Sequence, residues 1–595
     1  TDAHVGVALA ESAANGVTLN EGQAALVTAM ATSGARVQAA IAPAGSGKTT
    51  AMRALTQAWT DGGGTVIGLA PSAAAAEQLR DQTSAPTDTL AKLCWHLDQG
   101  TAHPNLPRID EGTLVLVDEA GMADTLSLLQ VVRHVLDAGG SVRLIGDDQQ
   151  LAAIGAGGVL RDIETTHGVL RLDELVRFRD PAEGAASLAL RAGRPEALGF
   201  YLDQRRVHVG DLATMTTDVF TAWSTDRAAG LDSIMLAPTR ELVAELNTRA
   251  RHQRLNGAPA GREVWLSDGL PASAGDTILT RRNHRRLRTS ATDFVKNGDR
   301  WQVVDARADG SLHVAHTRTG RRVTLPADYV AEHVELGYAS TIHTAQGISV
   351  DTTHGVLSGG ESRQLLYTMM TRGREANHAY LAVVSDGNEH TTFAPETVSP
   401  LTPTDMLEKI LGRDDTPISA STQTRIAADP ATQLADATRR YADAIGVAAA
   451  QIADPDLLRH LTRRINAMVP GITDCDAWPT LANRLLLIAA DGRDPFAETQ
   501  HALTSSPLGD ARDEASVLVA RLETRTRDRG PLPWLPGIPT RLADHPTWGP
   551  YLSARSTLVG ALADHVRTAT LTGATQPAWV RSSSWTPPLS LVADV

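Results

Sequence analysis

The stretch from Val37 to Thr50 constrains the fold of this 595-residue chain more than any other. Apolar residues lead into a glycine-rich turn that ends in Gly47-Lys48-Thr49, and a helix-compatible run follows at Ala51–Trp59. This order of strand, loop and helix is typical of a loop that binds phosphate. Its backbone N–H groups and the positive end of the helix dipole favour phosphate oxygens. The stretch therefore predicts an α/β fold that binds a nucleotide.

We predict that the loop binds ATP together with Mg²⁺. The ammonium group of Lys48 is suited to neutralise the β- and γ-phosphates, and the hydroxyl of Thr49 is suited to hold the metal ion. The other residues expected to contact the nucleotide are those of the loop itself, Pro43, Ala44, Gly45, Ser46, Gly47 and Thr50. One position departs from the G-x-x-x-x-G-K-T pattern, because Ala42 stands at its first glycine.

Apolar strands and helical runs alternate after the loop. Strands are predicted at 65–71, 114–119 and 141–147, and helices at 72–79 and at about 125–136. Such alternation favours a parallel sheet with helices on both faces. Ligands of these sheets bind at the carboxyl ends of the strands, which is where Lys48, Asp118 and Asp147 fall.

Several polar residues near these strand ends have a predicted role. Asp118 is suited to hold Mg²⁺, and Glu119 to orient or deprotonate the attacking water. Gln150 is expected to contact the γ-phosphate. Acidic residues also end strands as solvated turns or caps, but the phosphate loop upstream favours the functional interpretation. Asn20 is the predicted N-cap of a helix in which Gln23 is a candidate adenine clamp; taken alone, Gln23 is a surface residue.

A second α/β unit is predicted to begin near Leu170. An apolar strand, Ala-Pro-Ser/Thr and a helix follow each other at 67–79 and again at 234–247, which suggests two related cores. Arg372 ends an apolar helical run, from which a second core can present a fixed cation to the nucleotide. We assign to the first core residues 1–170, with a short insertion at 86–112, and to the second core residues 171–274 and 336–395.

Residues 275–335 lack the alternation of strands and helices predicted on either side. They contain short β-like runs with hairpin turns at Asp309-Gly310 and Thr319-Gly320. They predict a small antiparallel barrel inserted in the second core. Beside it lies the most basic run of the chain, with five arginines in eight residues. Charge runs are usually solvated faces, but in a chain of net charge −13 this run favours contact with a phosphate backbone. The candidate residues are Arg281, Arg282, Arg285 and Arg286.

The remaining sequence predicts a linker and a helical region. Pro, Thr, Ser and Asp are frequent in 396–433, which we interpret as a linker with a short helix near Met406–Leu411. Residues 434–595 are predicted to be helical, with an interruption at the prolines of 531–539.

The composition is that of a globular protein of several domains, with 42% hydrophobic and 21% charged residues. Cys94 and Cys475 lie far apart, so neither a disulfide framework nor a zinc-ligand spacing is predicted. The sequence shows no apolar run of membrane-spanning length and no export signal at its start. We therefore expect no membrane insertion and a cytoplasmic location.

Taken together and in this order, the motifs resemble those of superfamily 1 DNA helicases of the RecD-like kind. The segments that carry the resemblance are Leu19–Gln23, Ala42–Thr49, Ala70–Ser72, Asp118–Met122, Gly146–Leu151, Ala237–Thr239 and His343–Gly347. It covers about residues 15–395 and implies two RecA-like cores with an inserted SH3-like barrel.

The resemblance also implies roles for particular residues. It gives Arg177 and Arg372 as two arginine fingers, and Ser72, Thr239, His343 and Gln346 as residues that face DNA. The implied activity is that of an ATP-dependent helicase and translocase that moves 5′ to 3′ on single-stranded DNA. The implied substrates are single-stranded DNA and its junction with a duplex.

Within that group the sequence is most similar to the helicase half of conjugative relaxases of the MobF type, such as TraI and TrwC. The Asp-Glu-Ala-Gly-Met sequence at 118–122 and the segments 175–193, 405–419 and 545–550 carry this similarity. It implies an N-terminal relaxase domain in the parent protein and a conjugation apparatus as partners. Such a domain carries a catalytic tyrosine, but the first tyrosine of this chain is Tyr201. Thr1 is therefore expected to mark a cut behind that domain.

Three features depart from the family pattern, the first of which is Ala42 in the phosphate loop. Thr344 stands where a lysine is common, and 86–112 is short where relatives place a strand-separating pin. Two alternatives to a relaxase motor remain, a stand-alone RecD-like repair helicase and a non-enzymatic platform that binds single-stranded DNA.

Overall fold

The computed structural model describes residues 2–151, 157–290, 293–384, 402–504, 508, 511, 513–523 and 530–571. The chain divides into two units, Thr1–Ser419 and Ala420–Val595. The first unit contains two parallel sheets and an inserted antiparallel sheet, and the second is helical. In these described ranges, no helix combines the length and the apolar character needed to cross a membrane.

The first lobe of unit 1 starts with two helices and continues as alternating strands and helices. Its elements are α1 (Asp2–Ala14), α2 (Glu21–Thr32), β1 (Val37–Ile41), α3 (Lys48–Asp61), β2 (Thr65–Ala70), α4 (Ala73–Thr83), β3 (Thr87–Thr89), α5 (Leu90–Asp98), β4 (Thr113–Val117), α6 (Thr125–Asp137), β5 (Ser141–Gly146), α7 (Val159–His167) and β6 (Leu170–Arg171).

The strands of the first lobe form one parallel sheet in the order β3-β2-β4-β5-β1-β6. Strand β4 is buried along its whole length. Its residues Leu114 and Leu116 belong to the core under α2 and α3, whereas Val115 and Val117 belong to the core under α5 and α6. Alternate side chains of a strand point to opposite faces, so this sheet is covered on both sides, as the sequence pattern predicts.

The second lobe contains a second run of strands and helices and an inserted sheet. Its elements are α8 (Pro181–Arg191), α9 (Glu196–Asp203), β7 (Val207–Asp211), α10 (Leu212–Ala228), β8 (Ser233–Ala237), α11 (Arg240–Leu255), β9 (Val264–Trp265), β10 (Pro271–Ala272), β11 (Thr277–Thr280), β12 (His284–Arg288), β13 (Phe294–Val295), β14 (Arg300–Ala306), β15 (Leu312–His316), β16 (Arg322–Leu325), α12 (Ala327–His333), β17 (Val334–Leu336), β18 (Ala339–Thr341), β19 (Val350–Leu357), α13 (Arg363–Met369), β20 (Gly373–Val384) and α14 (Pro403–Gly412).

Two sheets organise the second lobe. Strands β18-β8-β19-β20-β7 form a parallel sheet, and β16-β15-β14-β11-β17 form an antiparallel one. The hairpin turns predicted at Gly310 and Gly320 are present, with φ of 83° and 67°. The antiparallel sheet surrounds the fully buried Trp301, which lies in one continuous core with Trp223 of α10 and Leu246 of α11. The inserted sheet therefore packs as part of the second lobe; an SH3-like topology stays a prediction.

The short helix predicted near Met406–Leu411 is present as α14, which buries Leu407, Ile410 and Leu411. The rest of the predicted linker at 396–433 is corrected, because further helices begin at Ala420 and Pro430. Residues 396–401 lie outside the described residues.

The second unit is helical where it is described, as predicted. Its elements are α15 (Ala420–Ala428), α16 (Pro430–Ile452), α17 (Pro455–Met468), α18 (Trp478–Ala490), α19 (Pro495–Thr504), α20 (Glu514–Glu523), α21 (Thr540–Ala543) and α22 (Trp548–Leu571). The predicted helical residues 572–595, and residues 385–395 of the second core, lie outside the described residues.

Candidate active site at the phosphate loop

The phosphate loop, residues 42–49, connects β1 to α3 at the carboxyl edge of the first sheet. Gly45 and Gly47 have φ of 87° and 72°, a region that L side chains rarely adopt. Within the described part of the chain, the backbone N–H groups of Gly45, Gly47, Lys48 and Thr49 donate to no acceptor. Open N–H groups at a helix N-terminus form a site for an anion, so the loop fits the phosphates of a nucleotide.

The substituted position Ala42 fits the loop without a glycine. Ala42 is buried, and its N–H group donates to the carbonyl of Gly146 at 2.9 Å, which extends the pairing of β1 with β5. Ala42 therefore has the backbone conformation of a strand, which any residue can adopt, so glycine is not required at this position.

The predicted lysine and carboxylates meet at the loop. Lys48 Nζ lies 2.5 Å from Glu119 Oε1 and 3.2 Å from Asp118 Oδ1. Burial alone would lower the pKa of Lys48, but the two carboxylates outweigh it and raise that pKa. Burial raises the pKa of Asp118, against the opposing charge of Lys48. Glu119 has a φ of 51°, a strained conformation for a residue with a side chain, and such strain is common at functional sites.

A second group of contacts surrounds Asp147, which follows β5. Tyr367 of α13 donates from its hydroxyl to Asp147 Oδ2 at 2.9 Å, and the N–H group of Ala44 donates to the Tyr367 hydroxyl at 3.0 Å. Arg191 Nε donates to Asp147 Oδ1 at 2.9 Å. Gln150 Nε2 donates to Asp147 Oδ2 at 3.2 Å, and its contact with the γ-phosphate stays a prediction.

The Asp147 cluster joins both lobes to the phosphate loop, because Tyr367 and Arg191 belong to the second lobe. Neither residue was predicted from the sequence. Their only sequence signal was their position in the helical runs that also hold Arg372 and the segment 175–193.

The two predicted arginine fingers lie close to one segment of the second lobe. The N–H group of Arg177 donates to the carbonyl of Gly45, and its Nη1 donates to the carbonyl of Thr371 at 2.8 Å. Arg372 lies beyond the end of α13, and its Nε donates to the carbonyl of Thr368 at 2.8 Å. Burial, with the charge of Arg177, lowers the pKa of Arg372 to about 10, so it stays cationic near neutral pH. Their finger role stays a prediction.

The side chain of Gln23, the predicted adenine clamp, forms hydrogen bonds within the protein. Gln23 is buried, and its amide accepts from the N–H group of Asn20 and donates to the carbonyl of Ser46 at 3.0 Å. Asn20 is the N-cap of α2, as predicted. Gln23 thereby links the start of α2 to the loop; a contact with adenine stays a prediction.

The residues predicted to face DNA lie in equivalent places on the two sheets. Ser72 follows β2 and caps α4, and Thr239 follows β8 and caps α11. His343 is exposed after β18, and Gln346 Nε2 donates to Gln150 Oε1 at 3.4 Å. These residues lie at the carboxyl edges of both sheets, where ligands of parallel sheets bind.

The four predicted basic residues differ in their contacts. Arg281 Nη1 donates to Thr344 Oγ1 at 3.0 Å, and Arg282 Nη1 lies 2.9 Å from His333 Nε2. Arg285 forms a bidentate pair with Asp88, and Arg286 is exposed. Contact of these four residues with DNA stays a prediction.

The fold and the site define a P-loop nucleoside triphosphatase in which a second parallel-sheet lobe contacts the phosphate loop. A family model described as an AAA domain matches residues 18–212. The conjugal transfer protein TraA of Agrobacterium fabrum is 32% identical over 368 residues, which make up 61% of this chain and 32% of that protein. The ATP-dependent RecD2 DNA helicase of Deinococcus radiodurans is 27% identical over 373 residues, 60% of this chain and 48% of that protein. These similarities to RecD helicases and to conjugal transfer proteins agree with the resemblance to superfamily 1 helicases and conjugative relaxases that the motifs carry.

The chain spans about a third of the length of the TraA relatives that it matches. Among solved structures, Bacteroides Pif1 bound to single-stranded DNA superposes with a TM-score of 0.42 and 16% identity, over 66% of this chain and 94% of that chain.

Proposed function

We propose that this chain is an ATP-dependent DNA helicase that moves 5′ to 3′ on single-stranded DNA and is the motor part of a conjugative relaxase. The observation that carries the proposal is the Asp147 cluster, in which Tyr367 of the second lobe bonds both Asp147 and the loop residue Ala44. A site assembled from two lobes couples the state of the nucleotide to the distance between them.

The residues of the loop act first by binding phosphate. The open N–H groups of Gly47, Lys48 and Thr49 face the bound phosphates, and Lys48 exchanges its carboxylate partners for phosphate oxygens. Glu119 is then released from Lys48 and orients the attacking water, from which it accepts a proton. Arg177 and Arg372 stabilise the charge that develops on the transferred phosphoryl group.

The same site fits Mg²⁺. The Lys48 ammonium lies 3.2 Å from Asp118, and this ion pair supports a role for the carboxylate as a cation ligand beside the loop. Asp118 and the hydroxyl of Thr49 would hold the ion, which when bound neutralises charge on the phosphate oxygens.

Movement along DNA follows from the two carboxyl edges. A strand lying across Ser72 of the first lobe and Thr239, His343 and Gln346 of the second is displaced when the lobes approach or separate. Gln346 also contacts Gln150 of the nucleotide site, which offers a direct path between strand and nucleotide. The direction of movement and the relaxase context come from the family resemblance and the TraA relatives.

The test is the ATPase rate with and without single-stranded DNA. We expect DNA to stimulate turnover, and Lys48→Ala to abolish turnover while DNA binding remains. Lys409→Ala, which removes an exposed lysine of α14, is the matched control and should behave as wild type. DNA-stimulated turnover retained in Lys48→Ala would sink the assignment, and duplexes with a 5′ or a 3′ overhang test the direction.

A stand-alone repair helicase is the second candidate, favoured by the similarity to RecD2. The two candidates differ in the parent gene. A relaxase domain encoded upstream in the same reading frame would exclude the repair helicase.

A further inference from the structure

The turn that follows β5, residues 147–150, is held in place by a side chain of the second lobe. The turn carries Gln150, the residue that we expect to contact the γ-phosphate. Arg363, the first residue of α13, donates from Nη2 to Gln149 Oε1 at 3.3 Å, and its side chain is only 15% exposed. A half-buried cation of one lobe therefore contacts a turn that belongs to the nucleotide site of the other.

The Arg363 guanidinium has a stronger partner in a segment that follows α14. This segment, residues 414–419, has neither helix nor strand and is called the strap below. The same Nη2 atom that bonds Gln149 donates to Asp414 Oδ2 of the strap at 2.6 Å. A hydrogen bond between two charged groups is shorter and stronger than one to a neutral amide. The carboxylate of Asp414 therefore determines where the guanidinium lies, and the bond to Gln149 follows from that position.

Two further hydrogen bonds fix the Asp414 carboxylate. Gln364 Nε2 donates to Asp414 Oδ1 at 2.7 Å, and the N–H group of Thr416 donates to the same oxygen at 2.9 Å. Burial alone would raise the pKa of Asp414, but the hydrogen bonds from Thr416 and the charges of Arg363 and Arg161 outweigh it and lower that pKa to about 2. Asp414 is therefore an anion near neutral pH, with its direction set by the strap and by α13.

The strap also contacts the first lobe. Arg161 of α7 places Nη1 3.9 Å from Asp414 Oδ2 and Nε 3.8 Å from Asp148 Oδ2 of the turn. A β-carbon at Gly158, just before α7, would lie only 2.7 Å from the carbonyl oxygen of Pro417, so the strap lies directly against this end of the helix. Asp414 thus lies between two arginines, one from each lobe, and both arginines also contact the turn.

We propose that Asp414 is a positioning residue of the nucleotide site. Through Arg363 it holds the turn in the position from which Gln150 contacts the γ-phosphate. The proposal rests on the proposed function, from which it takes the contact of Gln150 with ATP. ADP has no γ-phosphate and binds through the phosphate loop. Loss of the Asp414 charge should therefore weaken the binding of ATP and spare the binding of ADP.

The test compares the affinities for ADP and for an ATP analogue that cannot be hydrolysed, each measured by displacement of a fluorescent nucleotide in the presence of Mg²⁺. Asp414→Asn keeps the size of the side chain and removes its charge. We expect the affinity of this variant for the analogue to fall about fivefold, at the lower end of couplings between sites, and its affinity for ADP to stay as in wild type. The unchanged affinity for ADP also shows that the variant is folded.

Asp415→Asn is the matched control. It makes the same change at the next residue, an exposed position of the strap, and should alter neither affinity. Equal weakening of both nucleotides in Asp414→Asn would show that Asp414 only stabilises the fold, and would overturn the proposal.

Gln150→Ala separates this proposal from the function on which it rests. The variant should also weaken the analogue and spare ADP. Weaker binding of the analogue in Gln150→Ala but not in Asp414→Asn would overturn the role of Asp414 and leave the proposed function standing. Equal affinities in Gln150→Ala and in wild type would instead contradict the proposed contact with the γ-phosphate.

A double variant tests the route through Arg363. Arg363→Gln should weaken the analogue by a similar factor, and adding Asp414→Asn should weaken it little further, because the two residues act as one unit. Losses that multiply in the double variant would show that Asp414 acts independently of Arg363, which would overturn the proposed role.

Discussion

The two lobes share one strand-to-helix corner but not one chemistry. Ser72 and Thr239 each follow Ala-Pro, with φ of −120° in both and ψ of 156° and 157°, and each accepts a hydrogen bond from the third residue of its helix. Lys48, Asp118 and Glu119 all belong to the first lobe, whereas the second contributes Tyr367 and Arg372 to the same site. The backbone of the corner is thus repeated while the nucleotide chemistry is placed on one side. This division fits a motor in which one lobe holds the nucleotide and the other responds to it.

The test with the largest expected effect removes Arg372, the predicted finger that the second lobe contributes to the site. Arg372→Ala should keep nucleotide binding and lose turnover by roughly 10³-fold, since a finger acts on charge that develops in the transition state. Fluorescent-nucleotide binding and steady-state ATPase rates separate the two effects.

Arg413→Ala is the matched control. Its Nη1 also donates to backbone carbonyls of the second lobe, those of Gly359 and Glu361. The control should lose stability but keep its turnover, and a normal rate in Arg372→Ala would remove the finger role.

A second test uses a feature of the second sheet, the stacked imidazoles of His208, His354 and His378, with ring centroids 5.2 and 5.5 Å apart. Burial, together with His354 and Arg206, lowers the pKa of His378 to about 3. The unfolded chain therefore binds a proton that the folded chain excludes. The stability that this provides is complete above about pH 6.5 and is lost as the pH falls towards 3, by up to about 1.4 kcal/mol per pH unit.

Urea unfolding between pH 8 and pH 5 measures this slope. His378→Gln should flatten the pH dependence, whereas His252→Gln, which changes an exposed histidine of α11, should leave it unchanged. Equal slopes in wild type and His378→Gln would contradict the prediction.

A third test weakens the contact between the lobes without removing a charge. Tyr367→Phe leaves Ala44 and Asp147 without the Tyr367 hydroxyl, and we expect DNA-stimulated turnover to fall roughly tenfold, equal to about 1.4 kcal/mol. Tyr441→Phe removes a similar hydroxyl, which donates to the carbonyl of Pro536 in the second unit. It should lower stability by about 1 kcal/mol and leave turnover unchanged. Similar turnover in both variants would show that Tyr367 only stabilises the fold.

The smallest test asks whether the two corners are equivalent. Ser72→Ala and Thr239→Ala each remove an N-cap hydrogen bond, and each should cost about 1 kcal/mol of stability. Urea midpoints of the two variants should shift by similar amounts. A clearly larger shift at one corner would show that the repeated geometry hides different packing.

The sequence predicts the elements well where a periodic pattern and a cap agree. Helix α6 spans Thr125–Asp137, where a helix is predicted at about 125–136, with Asp124 as its N-cap. The phosphate loop, Asp118 and Glu119 are predictable because all three lie within a few residues of a strand end. Side-chain partners far apart in sequence are not predictable, as with Tyr367 and Asp147, which are 220 residues apart. Such pairs depend on how lobes pack, and no local pattern records that packing.

The sequence also does not predict which charged side chains are buried. Arg143 lies fully buried in β5, where its guanidinium donates to the carbonyls of Met30 and Ala35. Lys296 is buried beside Glu77, although each is surrounded by ordinary surface-like sequence. Charged residues are rarely buried, so the residue type alone predicts solvent exposure at such positions, which is wrong here.

The continuous core beneath Trp301 limits how this protein can change by insertion and deletion. Trp301 and Val314 of the inserted sheet share that core with Val219 and Trp223 of α10. Removing the inserted sheet alone would therefore expose to solvent the apolar side chains that it covers in the second lobe. A domain exchange that swaps only the insertion between relatives must therefore carry α10 and α11 with it. Recombination is best tolerated at the borders of the whole lobe.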